Sequence, residues 1–347
     1  MRWPDQRTSQ SQAFRRYAHV EIGRCAVALL LAVVAGAQTT GIYTASIAPK
    51  EGETLTAPCR YELTLPARNV ATRAVLAVFD RGQETRAFYD DESLFEFAAN
   101  HRLGLLWARH CPASDTGEID AAPANGIGRA MLSALDDFAQ SSKHGELATA
   151  KLILVGVAQA GPLAAAMPAF AADRVLAGIV YAPLGVAGLK LAPQHAGIPQ
   201  LIIANGADPV AGTREPYEYF ERHFANGAPW AFAVQNGAPH DGALSSTKAL
   251  MLEWLDMLLT TVPDTTAPVS MGSVQRTGWW LYIQLQDTAL RDASNRPVSR
   301  AKDARAEKVG QPAPSSYVPA GWMPTKKAAA EWQSFVRRQS HASDAKY

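Results

Sequence analysis

Short apolar runs of five to eight residues recur along the middle of the chain, and most are continuous rather than alternating. They fall at residues 73–80 (RAVLAVFD), 103–108 (LGLLWA), 152–156 (LILVG), 175–181, 200–204 and 230–234. A continuous apolar run bounded by polar and small residues is the mark of a strand buried on both faces. Residues 54–65 (TLTAPCRYELTL) alternate in part and also read as strand. Between the runs lie segments with helical spacing at 92–100, 127–140, 161–171, 215–224 and 244–259. Strands alternating with helices predict an α/β domain: a mostly parallel central sheet with helices on both faces. In such sheets ligands bind beyond the carboxyl ends of the strands, so the residues that follow each run carry the functional question.

The two ends of the chain have a different texture. Residues 25–37 (CAVALLLAVVAGA) form one apolar run, preceded by Arg2, Arg7, Arg15, Arg16 and Arg24 against Asp5 and Glu21. Thirteen residues fall short of the ~20 that span a bilayer. A basic lead, a short apolar core and the small-residue exit Ala35-Gly36-Ala37 predict a signal peptide over residues 1–37, cut before Gln38. Export to the periplasm or beyond follows, with no membrane attachment once the signal is removed; an uncleaved anchor is the alternative. Residues 38–262 then form the α/β domain, and residues 263–347 a C-terminal extension that packs partly on it. Within the extension, residues 263–269 are rich in Pro and Thr and read as a linker. Residues 292–314 are charged and predict an exposed loop, residues 328–336 a short helix, and residues 340–347 a frayed tail. Trp279, Trp280, Tyr282, Trp322 and Trp332 either cover the domain's own core or form a partner surface.

Composition narrows the function classes. The 347 residues carry 33 Lys+Arg against 32 Asp+Glu, a net charge of +1. No basic excess points to nucleic acid. The chain has no HExxH, no phosphate-binding glycine loop and no GxGxxG after a strand, so neither metal nor cofactor is expected. Of three cysteines, Cys25 leaves with the signal. Cys59 and Cys111 are then a candidate disulfide in an oxidising compartment, with two buried thiols as the alternative.

Three loops that follow strands stand out. After LILVG comes Gly156-Val157-Ala158-Gln159-Ala160-Gly161, a strand, a turn of small residues and a helix. This is the context of the nucleophile elbow G-x-S-x-G, with Ala158 where the serine belongs and Ala160 where the motif has a small residue. After the run at 200–204 comes Asp208, placed to orient a histidine; a turn or capping role is its ordinary alternative. After the run at 230–234 comes His240, placed as a general base. His101, His110, His144, His195 and His223 lack such a setting. Elbow, acid, histidine is the chain order of the α/β-hydrolase triad.

On these residues the sequence resembles the α/β-hydrolase superfamily, and within it secreted bacterial esterases akin to polyhydroxybutyrate depolymerases. The resemblance runs from about Arg60 to Leu259, with echoes at Gly278-Trp279 and at residues 330–335 (AEWQSF). It implies an α/β-hydrolase fold with Ala158, Asp208 and His240 at the triad positions. It further implies that the Gln159 amide and the Arg81-Gly82 turn line the oxyanion hole. Such proteins often carry His-Gly or Pro-Gly at that strand end; Asp80-Arg81-Gly82 departs from this, and a carboxylate there opposes developing negative charge.

A methyl group cannot attack a carbonyl, so no acyl-enzyme forms at Ala158. Removing the serine of a triad costs a factor of about 10⁶ in kcat. The first expectation is therefore a catalytically silent hydrolase fold that binds a small acyl or carboxylate ligand. A second is a working ester hydrolase, with water activated by His240 and Asp208 or with another serine, such as Ser93 or Ser245, as nucleophile. A third is a scaffold in which Asp208 and His240 are incidental.

Overall fold

The computed structural model describes residues 40–66, 69–113, 122–240, 242, 244–261 and 277–338. The expected signal peptide, linker and frayed tail lie outside these residues. Eleven strands form one sheet: β1 (Gly41–Ile47), β2 (Cys59–Leu65), β3 (Ala74–Phe79), β4 (Leu103–His110), β5 (Lys151–Val157), β6 (Val175–Tyr181), β7 (Gln200–Asn205), β8 (Ala231–Gln235), β9 (Trp279–Arg291), β10 (Pro297–Lys308) and β11 (Val318–Met323). Their order across the sheet is β1-β2-β4-β3-β5-β6-β7-β8-β11-β9-β10. The six strands from β4 through β3 to β8 are mutually parallel. β1 and β2 add antiparallel strands at one side, and β11, β9 and β10 at the other. The helices are α1 (Gln83–Tyr89), α2 (Glu92–Asn100), α3 (Ile127–Ser142), α4 (Gly161–Phe170), α5 (Pro193–Ala196), α6 (Arg214–Phe224), α7 (Lys248–Thr261) and α8 (Lys326–Arg337).

The apolar runs form strands because every residue of β3 and β7 is buried, and of β5 all but the first. Chain direction then sorts the helices. From β3 the chain steps outward to β4, then returns past β3 to β5. Parallel crossovers are right-handed, so reversing the step places α2 on one face and α3 on the other. Ion pairs knit the first face together: Lys248 of α7 with Asp91 at the start of α2, and Lys327 of α8 with Glu253 of α7. On the second face α4 packs along β5 and β6.

Residues 292–314 are not an exposed loop. They contain β10, which pairs along β9. Val298, Ala301 and Ala304 turn inward while Arg300, Lys302 and Arg305 face solvent. The inward positions are mostly small, and the register shifts between Ala301 and Asp303, so the alternation is hidden in the sequence. Charged side chains on an edge strand also block pairing with other chains. Residues 54–65 yield a strand only from Cys59. β1, β11, α1 and the single turn α5 carry no apolar run long enough to announce them.

The extension belongs to the core. Trp332 is fully buried and donates its indole N–H to the Phe232 carbonyl of β8 at 2.8 Å. Trp322 is buried and donates to the Thr277 carbonyl, while Trp279, Trp280 and Tyr282 are half-buried on β9. Trp322 and Trp332 thus belong to the protein's own core. Trp332 also caps a carbonyl on the outer side of β8, where β11 pairs only at Gly321 and Ala231.

His223 of α6 has a purely structural setting. Its Nδ1–H donates to the Tyr219 carbonyl at 2.9 Å and its Nε2 accepts from the Leu191 amide at 3.0 Å. Burial lowers its pKa below the ordinary 6.5. A histidine held neutral contributes stability that is present above the unfolded pKa and is lost as pH falls below it. Urea midpoints are expected to drop between pH 7.5 and 5.5, and the drop to be smaller in His223→Gln. Equal pH dependence in both chains would refute this assignment.

Candidate functional site

The strand order reverses between β3 and β5, and open α/β sheets bind ligands beyond the carboxyl ends of their strands at such a point. Two loops meet there. The first follows β5. Val157 is extended, Ala158 sits at φ +50°, and a 3-10 turn over Ala158–Ala160 leads into α4. A side chain at Gly156 would bring its Cβ within 2.3 Å of the Ala160 carbonyl oxygen, and one at Gly161 within 2.6 Å of the Pro183 Cβ. Strand and helix thus pass too close for anything larger. Ala160 is tolerated because its methyl is buried in the turn rather than aimed at the strand. A non-glycine residue in the left-handed region costs about 1–3 kcal/mol, and such strain clusters at functional sites. Ala158 is half-buried at the tip of this strand-to-helix turn.

The second loop follows β3. The Arg81 guanidinium donates from Nη2 to the Gln159 side-chain oxygen at 2.6 Å, bridging the crevice. Arg81 Nε is buried and has no protein partner. The loop's amides turn inward: the Arg81 N–H donates to Thr85 Oγ1 at 2.9 Å and the Gly82 N–H to Asp80 Oδ1 at 2.9 Å. The oxyanion role implied for the Arg81-Gly82 turn is therefore corrected. Asp80 and Thr85 hold both amides within their own loop, and what Arg81 brings to the crevice is its charge.

The acid and the histidine come together. Asp208, wholly buried between β7 and α6, accepts the His240 Nδ1–H on Oδ2 at 2.8 Å. Its Oδ1 accepts the amides of Val210 at 2.7 Å and Ala211 at 3.0 Å. These three donors fix the carboxylate, and the bond to Oδ2 holds the His240 imidazole through its Nδ1. The His240 side chain is 17% exposed. Its loop folds back over the neighbouring strands. Asn205, at the end of β7, donates to the Pro239 carbonyl at 2.7 Å, and Ala207 donates to the Ala238 carbonyl. The Tyr181 hydroxyl, at the end of β6, lies 3.2 Å from the Gly242 carbonyl and 3.0 Å from Gln235 Oε1. Burial pushes the Tyr181 pKa up, so this hydroxyl stays protonated and is a permanent donor. β6 is the direct neighbour of β5, with Val157 and Tyr181 in register. Ala158, Asp208 and His240 thus share one sheet edge.

Tyr181, Asn205 and Asn236 escaped the sequence reading. Each stands at or just past a strand end, the one signal that could have singled them out. The two alternative serines have other settings. Ser93 Oγ donates to Asp91 Oδ1 at 2.6 Å beside the N-terminus of α2. Ser245 is exposed on the turn before α7. Cys59 and Cys111 form a disulfide that joins the start of β2 to the end of β4. Among the described residues no cluster of His, Cys, Asp or Glu is arranged to hold a metal ion.

No protein-family model matches the sequence, and no curated protein does either. Solved structures similar in fold include a ferulic acid esterase (9% identity, TM-score 0.47), covering 64% of this chain and 99% of the other. An esterase from Pyrobaculum calidifontis is similar at 13% identity and TM-score 0.45, over 64% of this chain and 85% of that one. An arylesterase is similar at 11% identity and TM-score 0.44, over 64% and 84%.

Proposed function

We propose that the protein is an exported, esterase-like member of the α/β-hydrolase superfamily, of the polyhydroxybutyrate-depolymerase-like branch, that binds a small acyl or carboxylate ligand without hydrolysing it. One observation carries this reading: the elbow keeps its left-handed backbone at Ala158, and Asp208 and His240 keep their bond, while the attacking oxygen is gone. Backbone strain of this kind clusters at functional sites. Arg81 favours a carboxylate over a neutral ester, because its guanidinium lies against the elbow residue Gln159. The amides at the start of the elbow helix add a weaker attraction for negative charge. The Cys59–Cys111 bond supports export, since such bonds persist in oxidising compartments.

Titration with 3-hydroxybutyrate, followed by the NMR resonances of His240, tests the reading. Saturable shifts are expected, together with their loss in Arg81→Ala. Unmoved resonances at millimolar ligand would count against it. A second reading, a slow hydrolase in which His240 activates water directly, is favoured by the intact Asp208–His240 pair. Turnover of p-nitrophenyl acetate that disappears in His240→Ala would put it first.

A further inference from the structure

β10 is three strands removed from β8 in the pairing order, yet it reaches back to both loops that carry the acid and the histidine. At Ser299 its backbone N–H donates to Thr213 Oγ1 at 2.6 Å. Two residues on, Ala301 exchanges two bonds with Asn236: its N–H donates to Asn236 Oδ1 at 2.8 Å, and its carbonyl accepts from Asn236 Nδ2 at 2.9 Å. Asn236 Nδ2 also lies 3.1 Å from the Val336 carbonyl near the end of α8. Thr213 and Asn236 are both buried. Thr213 stands two residues beyond Ala211, whose amide holds Asp208. Asn236 stands four residues before His240.

The tip of the β9–β10 hairpin makes a further contact on the acid loop. Gly212, at φ +66°, lies so close to Asp292 that a Cβ there would come within 2.8 Å of the Asp292 Cβ. Asp292 Oδ1 accepts the Ser294 and Arg296 amides. Arg296 in turn reaches Glu215 at 3.7 Å and Glu218 at 3.5 Å on α6, the helix that the acid loop enters.

We propose that the C-terminal arm is a positioning clamp for the Asp208–His240 pair, with Thr213 and Asn236 as its positioning residues. One strand fixes both loops at points two residues apart, so the separation of the loops is set by the rise of β10, about 6.6 Å over two residues. The two loops also bond directly, Asn205 to the Pro239 carbonyl and Ala207 to the Ala238 carbonyl, and β10 adds a second tie from the other side; the Asp208–His240 bond depends on alignment within tenths of an ångström. The clamp rests on the reading of Asp208 and His240 as the working pair of the site. It does not depend on which ligand is bound.

The test uses the full chain and the low-field NMR resonance of the His240 Nδ1 proton, a signature of the bond to Asp208 that fold stability alone does not move. Asn236→Ala and Thr213→Val are each expected to broaden this proton or speed its exchange at least tenfold. Arg337→Ala, which breaks the Arg337–Asp303 pair elsewhere in the arm, is expected to leave it unchanged. Thr213→Val is nearly isosteric and decides the question if Asn236→Ala does not fold. A resonance unaltered in Thr213→Val, or in a folded Asn236→Ala, would overturn the clamp while leaving the ligand reading intact. Equal loss in Arg337→Ala would also overturn it, as general loosening. Absence of the resonance from the unaltered chain would overturn both the clamp and the pair it positions. A normal clamp with no response to 3-hydroxybutyrate would sink the ligand reading alone.

Discussion

Ala158→Ser is expected to create measurable esterase activity on short p-nitrophenyl esters, about 10³- to 10⁴-fold above the unaltered chain. The gain follows from what is already in place. The backbone at residue 158 stands at φ +50°, so a serine oxygen would project from the tip of the elbow with no further distortion. His240 is held by Asp208 through its Nδ1. A complete triad owes about 10⁶ in kcat to its serine. The full factor is not expected here, because the Arg81 and Gly82 amides are engaged by Thr85 and Asp80. Loss of one oxyanion donor costs about 10²–10³. The activity should vanish in the double variant with His240→Ala, and the new serine should be labelled covalently by a fluorophosphonate. A folded Ala158→Ser chain that neither turns over esters nor takes the label would mean that the elbow and the histidine do not cooperate.

The loop after β3 bears on how much a serine at position 158 would achieve. Asp80, at the end of β3, accepts the Gly82 amide within its own loop. Arg81 donates its guanidinium Nη2–H to the Gln159 side-chain oxygen. On the proposed reading, Arg81 favours an anion that is already formed over one that appears in a transition state. Reversion by a single serine should therefore yield a poor enzyme, and Asp80→Gly in the Ala158→Ser background should improve it by freeing the Gly82 amide.

Much of the central sheet is legible in the sequence because a strand buried on both faces has no choice of pattern. The apolar run at 175–181 coincides with β6 to the residue, and the runs that form β3, β5, β7 and β8 match to within one or two. The loops that follow β5, β7 and β8 are legible for the same reason: once strand ends are known, only a few residues can stand beyond them. Where an element's inward positions are small or its register shifts, the pattern fades. β10 hides behind Arg300, Lys302 and Arg305, with alanine at two of its inward positions. α1 is hidden because Arg81-Gly82-Gln83 reads as a turn, and only Thr85, Phe88 and Tyr89 are buried in its seven residues. The state of the Arg81 and Gly82 amides is not written in the sequence at all. Whether an N–H faces a ligand or its own loop depends on side-chain rotamers at Asp80 and Thr85, which no periodicity encodes. The contacts of β10 with Thr213 and Asn236 join residues 86 and 65 positions apart, and sequence alone gives no warrant for such pairs.

Reduction of the Cys59–Cys111 bond, or the double variant Cys59→Ser/Cys111→Ser, is expected to lower stability by about 4 kcal/mol. The bond spans 52 residues, and closing a loop of that size in the unfolded chain removes about that much conformational freedom. Against the 5–15 kcal/mol typical of a folded domain this is a large share. The two cysteines join β2 and β4 at the far side of the sheet from β7 and β8, with β3, β5 and β6 between them. The loss should thus be global, read as a fall in urea midpoint, without a change in the His240 Nδ1 proton under native conditions. A different pattern is expected of Thr213→Val: a disturbed proton with a smaller effect on the midpoint, since it leaves the buried Ser299 N–H unpaired at a cost of about 1–3 kcal/mol. Together the two variants separate what holds the sheet from what aligns the pair. Equal midpoints for the oxidised and reduced chains would show that the unfolded state is already compact around β2 and β4, and that the bond constrains little.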